Sequence, residues 1–534
     1  MRKFSKVLAF TLAAVMVLGL AACGGNSEST STGSAAVSST AATSDSNAAA
    51  SSIDTSKFVD VSYVVLGDPP TNGQDVKVQE KWNEIMEKKI NANMHLKWIE
   101  WADWLTKYNL LLASGEPVDL ITTATDWLET WQNAQKGAFL TLDELIPKYA
   151  PNVWASVTPE QWEECKYEGK IVLMPENNFT QWTNHGAIYR ADWAKEFGIT
   201  EPIRDFDTLG KYFQGIKDNK PDVIPWEVQA NITTANLAYG YILTNTDHVA
   251  LDFVSPAIFY AKSYDEKYSV TLPVFDDIYV EFAKKMKEWG DKGYWREDVL
   301  NFKGDVDQAF KAGKNGMKAH HTETLKGLHT TVAREQPGAD LQMFPFISKN
   351  NNNILKLSIT HGGTSISANS QNPERALMVY DLIRSDKEVY RLLNYGIEGV
   401  QYAEKDGKLA RPEGYNEQRD TFSSNFWGGR EDKFQIVGPD DWDGIKDYYS
   451  EFEKIAKPFP YGRFVFNKQP IETELTSLQN VVNTYETAIS FGKAGDPVKA
   501  VEKYREKLKE AGIDKVQAEL QKQLDEFKSK VEGK

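Results

Sequence analysis

Apolar β-branched segments alternate with amphipathic helical segments between residues 59 and 122, and this alternation restricts the possible folds of the chain more than any other feature. Strands are predicted at 59–66, 95–99 and 118–122, with one helix ending near residue 90 and another spanning about 103–114. Repeated strand–helix–strand units form a parallel sheet with right-handed crossovers. The sequence therefore predicts an α/β fold.

Similar units continue through the rest of the chain. Further strands are predicted at 169–175 and 317–319, and from residue 355 to a break at His361. Further helices are predicted at 207–216, 276–289, 373–385 and 387–395, and from residue 498 onward with a break at Gly512. The chain has 534 residues, which is too long for one ordinary domain, so we expect more than one.

Aromatic and acidic residues follow the first three predicted strands. In open α/β sheets, ligands bind beyond the carboxyl ends of the strands. The residues in these positions include Asp68, Trp104, Asp126 and Trp127. These residues are therefore predicted to bind a ligand, and packing in the core is the alternative for each tryptophan.

The same mixture of aromatic and polar residues recurs in later segments. The additional candidate ligand-binding residues are Trp182, Asn184, Trp226, His321, Glu323, His361, Trp427 and Arg463. For Arg463, which lies in a predicted loop, a structural role is an equal alternative. Tryptophans inside amphipathic helices, such as Trp193 and Trp289, are predicted to belong to the core.

Residues 1–22 have the layout of an export signal. Three basic residues precede an uncharged apolar run that ends in small residues. The run is shorter than the ~20 residues that a membrane-spanning helix needs. Cys23 directly follows Leu20-Ala21-Ala22, which resembles the lipobox of bacterial lipoproteins, where this thiol receives a diacylglycerol. We expect a lipid anchor on Cys23 at the extracellular face of the membrane, with an ordinary cleaved signal as the alternative.

Residues 23–56 are predicted to be a disordered tether between this anchor and the body. Ser, Thr, Ala, Gly and Asn make up nearly the whole segment, which contains no aromatic residue after Cys23. Such a composition does not bury enough apolar surface to offset the entropy of ordering the chain. A globular body on this tether would stay within reach of the membrane.

Charge and cysteine content exclude several classes of function. The net charge is −15, and removing the three basic residues of the signal leaves −18. An acidic body repels phosphate backbones, so we expect no nucleic-acid partner. With Cys23 assigned to the anchor, Cys165 has no intrachain partner, so no disulfide forms. His320 and His321 have Glu323 as the only nearby acid and no His-Glu-x-x-His motif, so we expect neither a metal nor a cofactor.

Several segments, taken in order, resemble the family 1 extracellular solute-binding proteins, the receptors of ABC sugar importers. Within that family, the chain is similar to the large lipoproteins of Gram-positive bacteria. The matching segments are 113–120 (ASGEPVDL), 169–175 with 190–194 (RADWA), 310–317, 372–376 with 395–399, and 517–527. Together they extend over nearly the whole predicted mature body.

The resemblance implies a periplasmic-binding-protein-like fold of two α/β lobes, with a central cleft and several crossovers between the lobes. Lobe 1 is predicted to contain 57–185 and about 361–405, and lobe 2 is predicted to contain 186–360 and about 420–534. The cleft is expected to close on a carbohydrate, an oligosaccharide in the large members of the family, and to deliver it to permease subunits. The chain has no Gly-x-x-x-x-Gly-Lys-Ser/Thr motif, so the ATPase is expected to be a separate polypeptide. We expect a monomer without enzymatic activity.

Two other functions stay open at this point. A secreted glycoside hydrolase needs two carboxylates at a set separation, and the sequence does not reveal spatial separations. A carbohydrate-binding lipoprotein without a role in transport would also have the predicted anchor and aromatic residues. The identity of the sugar does not follow from these residues.

Overall fold

The computed structural model describes residues 53–533, apart from 102–103, 126, 177–181, 183–184, 231–236, 427 and 439–441. Cys23, the predicted signal and most of the predicted tether lie outside the described residues. The predicted site residues Asp126, Asn184 and Trp427 lie outside them as well.

Fifteen strands are defined among the described residues. They are β1 (Val59–Leu66), β2 (Ala92–Ile99), β3 (Leu120–Thr123), β4 (Lys166–Tyr167), β5 (Lys170–Ile171), β6 (Met174–Pro175), β7 (Gly186–Arg190), β8 (Val249–Ala250), β9 (Tyr260–Ala261), β10 (Val270–Thr271), β11 (Met317–His320), β12 (Leu341–Pro345), β13 (Gly363–Ile366), β14 (Ala403–Lys405) and β15 (Lys408–Ala410).

Twenty α-helices are defined in the same part of the chain. They are α1 (Gln74–Ile90), α2 (Trp104–Ala113), α3 (Thr130–Gln135), α4 (Ile146–Tyr149), α5 (Pro151–Ser156), α6 (Pro159–Glu164), α7 (Ala191–Glu196), α8 (Phe206–Asn219), α9 (Leu237–Asn245), α10 (Asp277–Asp291), α11 (Val306–Lys311), α12 (Thr322–Glu335), α13 (Pro373–Ser385), α14 (Lys387–Tyr395), α15 (Glu417–Asp420), α16 (Ile445–Ile455), α17 (Glu472–Val481), α18 (Thr487–Ser490), α19 (Pro497–Glu510) and α20 (Ile513–Glu532). A π-helical turn, Val482–Glu486, joins α17 to α18.

A five-stranded mixed sheet with the order β2-β1-β3-β13-β6 supports the first lobe. β1 pairs in parallel with β2 and β3, which confirms the predicted parallel units. β13 is antiparallel to both of its neighbours. It begins at Gly363, after a 3-10 turn that the Ser358 hydroxyl caps by accepting from the Thr360 backbone N–H. The predicted strand from residue 355 is therefore wrong, because this local hydrogen bond favours a turn there.

An antiparallel three-stranded sheet with the order β11-β7-β12 supports the second lobe, and β8, β9 and β10 form a smaller sheet beside it. Helices α8 and α10 place an apolar face against the core, as their helical spacing predicts. On α20 the residues Val516, Leu520 and Leu524 are fully buried. This apolar stripe therefore packs on the body of the protein.

Two large clusters of buried apolar residues correspond to the two lobes. The first contains residues of 59–174 and 366–393, and the second contains residues of 187–355 and 461–524. The predicted two-lobe α/β fold is thereby confirmed. No helix among the described residues has both the length and the apolar character needed to cross a membrane.

One segment differs from its predicted lobe. Residues from about 420 onward are predicted to belong to lobe 2, yet Phe422, Phe426 and Phe434 pack against the first cluster. Tyr63 holds Phe426 in an edge-to-face contact, with ring centroids 5.7 Å apart. The aromatic residues of this segment thus fill a groove on lobe 1, and the last crossing to lobe 2 comes after residue 434. The other lobe boundaries remain predictions.

Candidate functional site

Three indole rings meet beyond the carboxyl ends of β1, β2 and β3, and we call Trp101, Trp104 and Trp127 the tryptophan cluster. The centroids of Trp104 and Trp127 are 5.3 Å apart, and those of Trp101 and Trp127 are 6.3 Å apart. Asp68, at the end of β1, accepts a hydrogen bond from the Trp101 backbone N–H at 3.3 Å. The structure thus brings Asp68, Trp104 and Trp127 together. Trp101 is 39% exposed, so the cluster presents an aromatic surface to solvent.

A carboxylate beside the tryptophan cluster joins the two lobes. Glu129 accepts hydrogen bonds from Asn109 Nδ2 at 3.1 Å and from Lys468 Nζ at 2.8 Å. Lys468 belongs to the C-terminal segment of the second lobe. Burial of Glu129 opposes ionisation, but the hydrogen bond and charge of Lys468 outweigh it and hold the pKa of this carboxyl below its usual value.

Three imidazoles gather at one edge of the second sheet, and we call His185, His320 and His321 the histidine cluster. The antiparallel pairing of β11 with β7 places His320 opposite Gly186, next to His185. The ring centroids of His320 and His321 are 4.2 Å apart, and those of His185 and His321 are 5.8 Å apart. Burial, together with the neighbouring imidazoles, lowers the pKa of His320 to about 2 and that of His321 to about 3. Both rings are therefore neutral, and the Nδ1 atom of His321 accepts a hydrogen bond from the Thr324 backbone N–H at 3.4 Å.

Charged groups from the first lobe face the histidine cluster. His361, which precedes β13, lies close enough to His321 to lower its pKa further. Glu176 follows β6, and its backbone N–H donates to the Gly362 carbonyl at 2.7 Å. Burial raises the pKa of Glu176 to about 7, although the charges of His361 and Arg430 act in the opposite direction. Residues of both lobes therefore converge at this point of the cleft.

A group of packed aromatic rings extends from this point of the cleft into the second lobe. The Tyr449 hydroxyl donates a hydrogen bond to Glu323, a residue of the first turn of α12. The Trp182 ring lies 5.3 Å from that of Tyr449 and 5.1 Å from that of Phe452. Trp182 is only 3% exposed, and its buried indole N–H has no acceptor among the described residues. Tyr449 thus fixes the Glu323 carboxylate, and Trp182 supports Tyr449.

Two cavities of the second lobe share Trp226 as a wall. The first, of about 580 Å³, lies between Trp226 and the helix that contains the π-helical turn. The second, of about 570 Å³, lies between Trp226 and β11 and reaches His320. The Trp226 ring packs against Phe491 with a centroid distance of 5.7 Å. Trp226 is 2% exposed, so it separates the cavities as part of the core.

Arg463 lies at a different contact between the lobes. Its charge acts on Glu164 of α6, whose pKa is raised by burial and lowered in part by Arg463. Glu164 also accepts a hydrogen bond from the Ser358 hydroxyl at 3.0 Å. These contacts place Arg463 where the C-terminal segment meets the first lobe.

The structure adds several site residues that the sequence did not indicate. Glu176 directly follows the strand predicted at 169–175, so the rule that selected Asp68 could have found it. Gln479 and Asn483 line the first cavity from a helix, and nothing in the helical pattern marks them.

The site carries the chemistry of a binding cleft for a hydroxyl-rich ligand. It combines an exposed aromatic surface, neutral imidazoles, amides and carboxylates that hold fixed positions. Within the described residues, no three His, Cys, Asp or Glu side chains form a group suited to a metal ion. The assignment of individual ligand-binding residues remains a prediction.

Known proteins resemble this chain in sequence and in fold. Residues 71–389 match the model of the bacterial extracellular solute-binding proteins, and residues 460–529 match a domain of unknown function, DUF3502. A carbohydrate ABC transporter substrate-binding protein of Streptococcus pneumoniae is 26% identical over 540 residues, which cover 98% of each chain. The polygalacturonan/rhamnogalacturonan-binding protein YtcQ of Bacillus subtilis is 21% identical over 366 residues, covering 63% of this chain and 69% of YtcQ.

A solved structure shows the same fold over most of the chain. The N-glycan transport solute binding protein NgtS of Streptococcus pneumoniae aligns with a TM-score of 0.69 and 22% identity. The alignment covers 88% of this chain and 99% of NgtS. The two-lobe arrangement is therefore a feature of a known architecture.

Proposed function

Because this chain belongs to the bacterial extracellular solute-binding proteins, we propose that it captures a carbohydrate between its two lobes and delivers it to the permease of an ABC importer. The observation that carries this proposal is the convergence of His321 from one lobe and His361 from the other beside aromatic surfaces. The full-length relative is named a carbohydrate ABC transporter substrate-binding protein. NgtS has been solved with Man1GlcNAc and with Man5GlcNAc, which supports an oligosaccharide as the ligand here.

The sugar is bound in this cleft by two kinds of interaction, ring stacking and hydrogen bonding. The tryptophan cluster stacks on the C–H faces of the sugar, while Asp68, His321 and Glu323 bond to hydroxyl groups. Trp182 acts from within the core by supporting Tyr449, and Trp226 forms the wall between the two cavities. The predicted residues Asp126, Asn184 and Trp427 complete the site, and Arg463 acts at the contact between the lobes. The second cavity of the second lobe reaches His320 and so adjoins this part of the cleft.

The two lobes close about the chain segments that cross between them, and this closure signals ligand binding to the permease. A ligand shifts the open–closed equilibrium only by the extra contacts that it makes in the closed state. Side chains from both lobes supply such contacts here. The permease and its ATPase are separate polypeptides, and the receptor acts as a monomer.

The receptor is held at the extracellular face of the membrane by a lipid on Cys23, with 1–22 as a cleaved signal and 23–56 as the tether. Two or more acyl chains give stable anchoring, whereas one chain is marginal. Replacing Cys23 with Ser should move the protein from the membrane fraction into the medium. A protein that stays in the membrane fraction after this change would contradict lipid attachment.

Calorimetry of the full chain with a panel of oligosaccharides tests the receptor function. We expect saturable binding with a matching rise in melting temperature, because a ligand that binds only the folded state stabilises it. Chromatography of the sugars after incubation should show them unchanged. Shortened products would instead identify a glycoside hydrolase.

A further inference from the structure

We infer that the glycan captured by this receptor is uncharged, and that uronic-acid oligosaccharides are rejected by the charge pattern of the cleft and its cavities. The inference rests on the proposed function, because it names the class of carbohydrate held at the same site.

The first cavity has neutral walls apart from one acid. Its described lining residues include no lysine or arginine, and hydroxyl and amide groups come from Ser255, Gln479, Asn483 and Thr487. The one carboxylate in the wall, Glu486, is 5% exposed and accepts hydrogen bonds from the hydroxyls of Tyr279 at 3.1 Å and Tyr504 at 3.0 Å. A uronate in this cavity would find no cation among the described lining residues.

Acids outnumber lysines in the second cavity. Lys318 already forms an ion pair with Asp307, and Lys303 is exposed at the rim. Asp305 accepts backbone hydrogen bonds at the start of α11, and Glu227 lies 3.4 Å from Arg296. The adjoining His320 is neutral because its pKa is lowered to about 2. Three acids and two lysines thus line this cavity, so a sugar carboxylate would meet a net negative charge there.

Three cations of the cleft are paired with acids of the protein. Lys468 pairs with Glu129 at 2.8 Å. Arg430 bonds to Asp432 at 2.6 Å, and the buried Arg384 lies 3.4 Å from Glu431. A uronate that bound one of these three cations would have to displace its carboxylate and leave that carboxylate unpaired, which is costly in a desolvated site.

The charge of the whole chain acts in the same direction. The full chain has a net charge of −15, and without the three basic residues of the predicted signal the body has a net charge of −18. A net charge of this sign slows the approach of polyanions at low ionic strength. Neutral oligosaccharides experience neither this repulsion nor the loss of an ion pair.

The test compares neutral and anionic oligosaccharides of equal length by calorimetry on the full chain. The neutral set is manno-oligosaccharides, Man5GlcNAc and kestose, and the anionic set is oligogalacturonate and oligoalginate. We expect the tightest neutral ligand to bind at least roughly thirtyfold more tightly than any uronate, because an unpaired buried carboxylate is strongly disfavoured. Equal or tighter binding of a uronate would overturn the inference and leave the receptor function standing. Failure of every sugar in both sets to bind would overturn the receptor function itself, and the inference with it.

A charge introduced in the first cavity provides a second measurement. Gln479→Lys places an ammonium in the wall, and it should raise uronate affinity about tenfold through a charge-assisted hydrogen bond. Thr476→Lys adds the same charge on the exposed face of the same helix and serves as the matched control. A similar gain in both variants would show that overall charge, not the cavity, governs selectivity, and would overturn the inference.

Discussion

At the scale of single residues, exposure separates the tryptophans that the sequence treats alike. Trp104 and Trp127 follow β2 and β3, which both lie parallel to β1, and the topology places their ring centroids 5.3 Å apart, as their positions predict. Trp182 and Trp226 occupy similar positions in the sequence but are 3% and 2% exposed. Their burial depends on Tyr449 and Phe491, which are more than 260 residues away in the chain. Contacts between residues so far apart in the chain cannot be predicted from the local sequence pattern.

Trp127→Ala should weaken sugar binding while leaving the fold intact. The ring is only half-buried, so its loss removes stacking without opening a core cavity. We expect a loss of about 2 kcal/mol in binding, which corresponds to roughly thirtyfold in affinity. Calorimetry with the best ligand measures this change, and Trp154→Ala, a partly exposed indole stacked on Trp162, is the control. Unchanged affinity in Trp127→Ala would remove this residue from the site.

Glu176→Gln should change how stability depends on pH. The pKa of Glu176 rises from its usual 4.5 to about 7, so the folded protein holds a proton that the unfolded chain releases between these pH values. The stabilisation is therefore fully present below pH 4.5 and is lost as the pH rises towards 7. Over this pH window, the free energy of unfolding of the wild type should fall by about 1–2 kcal/mol more than that of Glu176→Gln. Urea unfolding at pH 4.5 and pH 8 measures the difference, and parallel losses in both proteins would contradict the assignment.

At the scale of elements, periodicity located most helices and many strands, but not the order of the strands. The helices predicted at 373–385 and 387–395 have these bounds in the structure. β13, by contrast, consists of Gly-Thr-Ser-Ile, which is too short and too polar to indicate a central strand. Its antiparallel position between β3 and β6 is set by pairing across more than 180 residues. The predicted 169–175 strand divides into β5 and β6 for a related reason, since the first half pairs locally with β4.

Two glycines of the helical regions should respond in opposite directions to alanine. Gly512, between α19 and α20, has φ of +89°, and an added Cβ would lie 2.8 Å from Glu474 Cγ. Gly512→Ala should therefore lower the free energy of unfolding by about 1 kcal/mol or more. Gly327 lies on the exposed face of α12 with open space around it. Gly327→Ala should therefore raise the free energy of unfolding by about 0.5–1 kcal/mol. Chemical denaturation measures both, and a shift of the same sign in the two variants would contradict this reading of the backbone.

At the scale of the whole molecule, the two-lobe arrangement was predictable because weak sequence segments occur in a fixed order. The placement of 420–434 was not, since it depends on aromatic residues that fill a groove on lobe 1. The contacts between the lobes were likewise inaccessible from sequence. Lys468 and Glu129 are separated by more than 330 residues and have no local signal.

Lys468→Met should weaken ligand binding by two- to fivefold, if closure uses the ion pair with Glu129. A partly exposed pair contributes about 0–1 kcal/mol, and salt screens it. The affinity of wild type should therefore fall as salt is raised, and that of Lys468→Met should change less. Lys446→Met, which removes an exposed pair with Asp443, is the matched control. Equal salt dependence in all three proteins would show that the Glu129 pair does not contribute to the ligand-bound state.

The late position of β13 in the chain has a consequence for how the protein acquires its structure. This strand completes the first sheet, yet it follows β3 only after the entire segment that builds most of the second lobe. The N-terminal strands therefore lack a central neighbour until two thirds of the polypeptide has been made. Pairing across such distances is slow, because the entropy of closing the loop is lost before the contacts form. Because the lobes are interleaved in this way, the first sheet is completed only after most of the second lobe has been made.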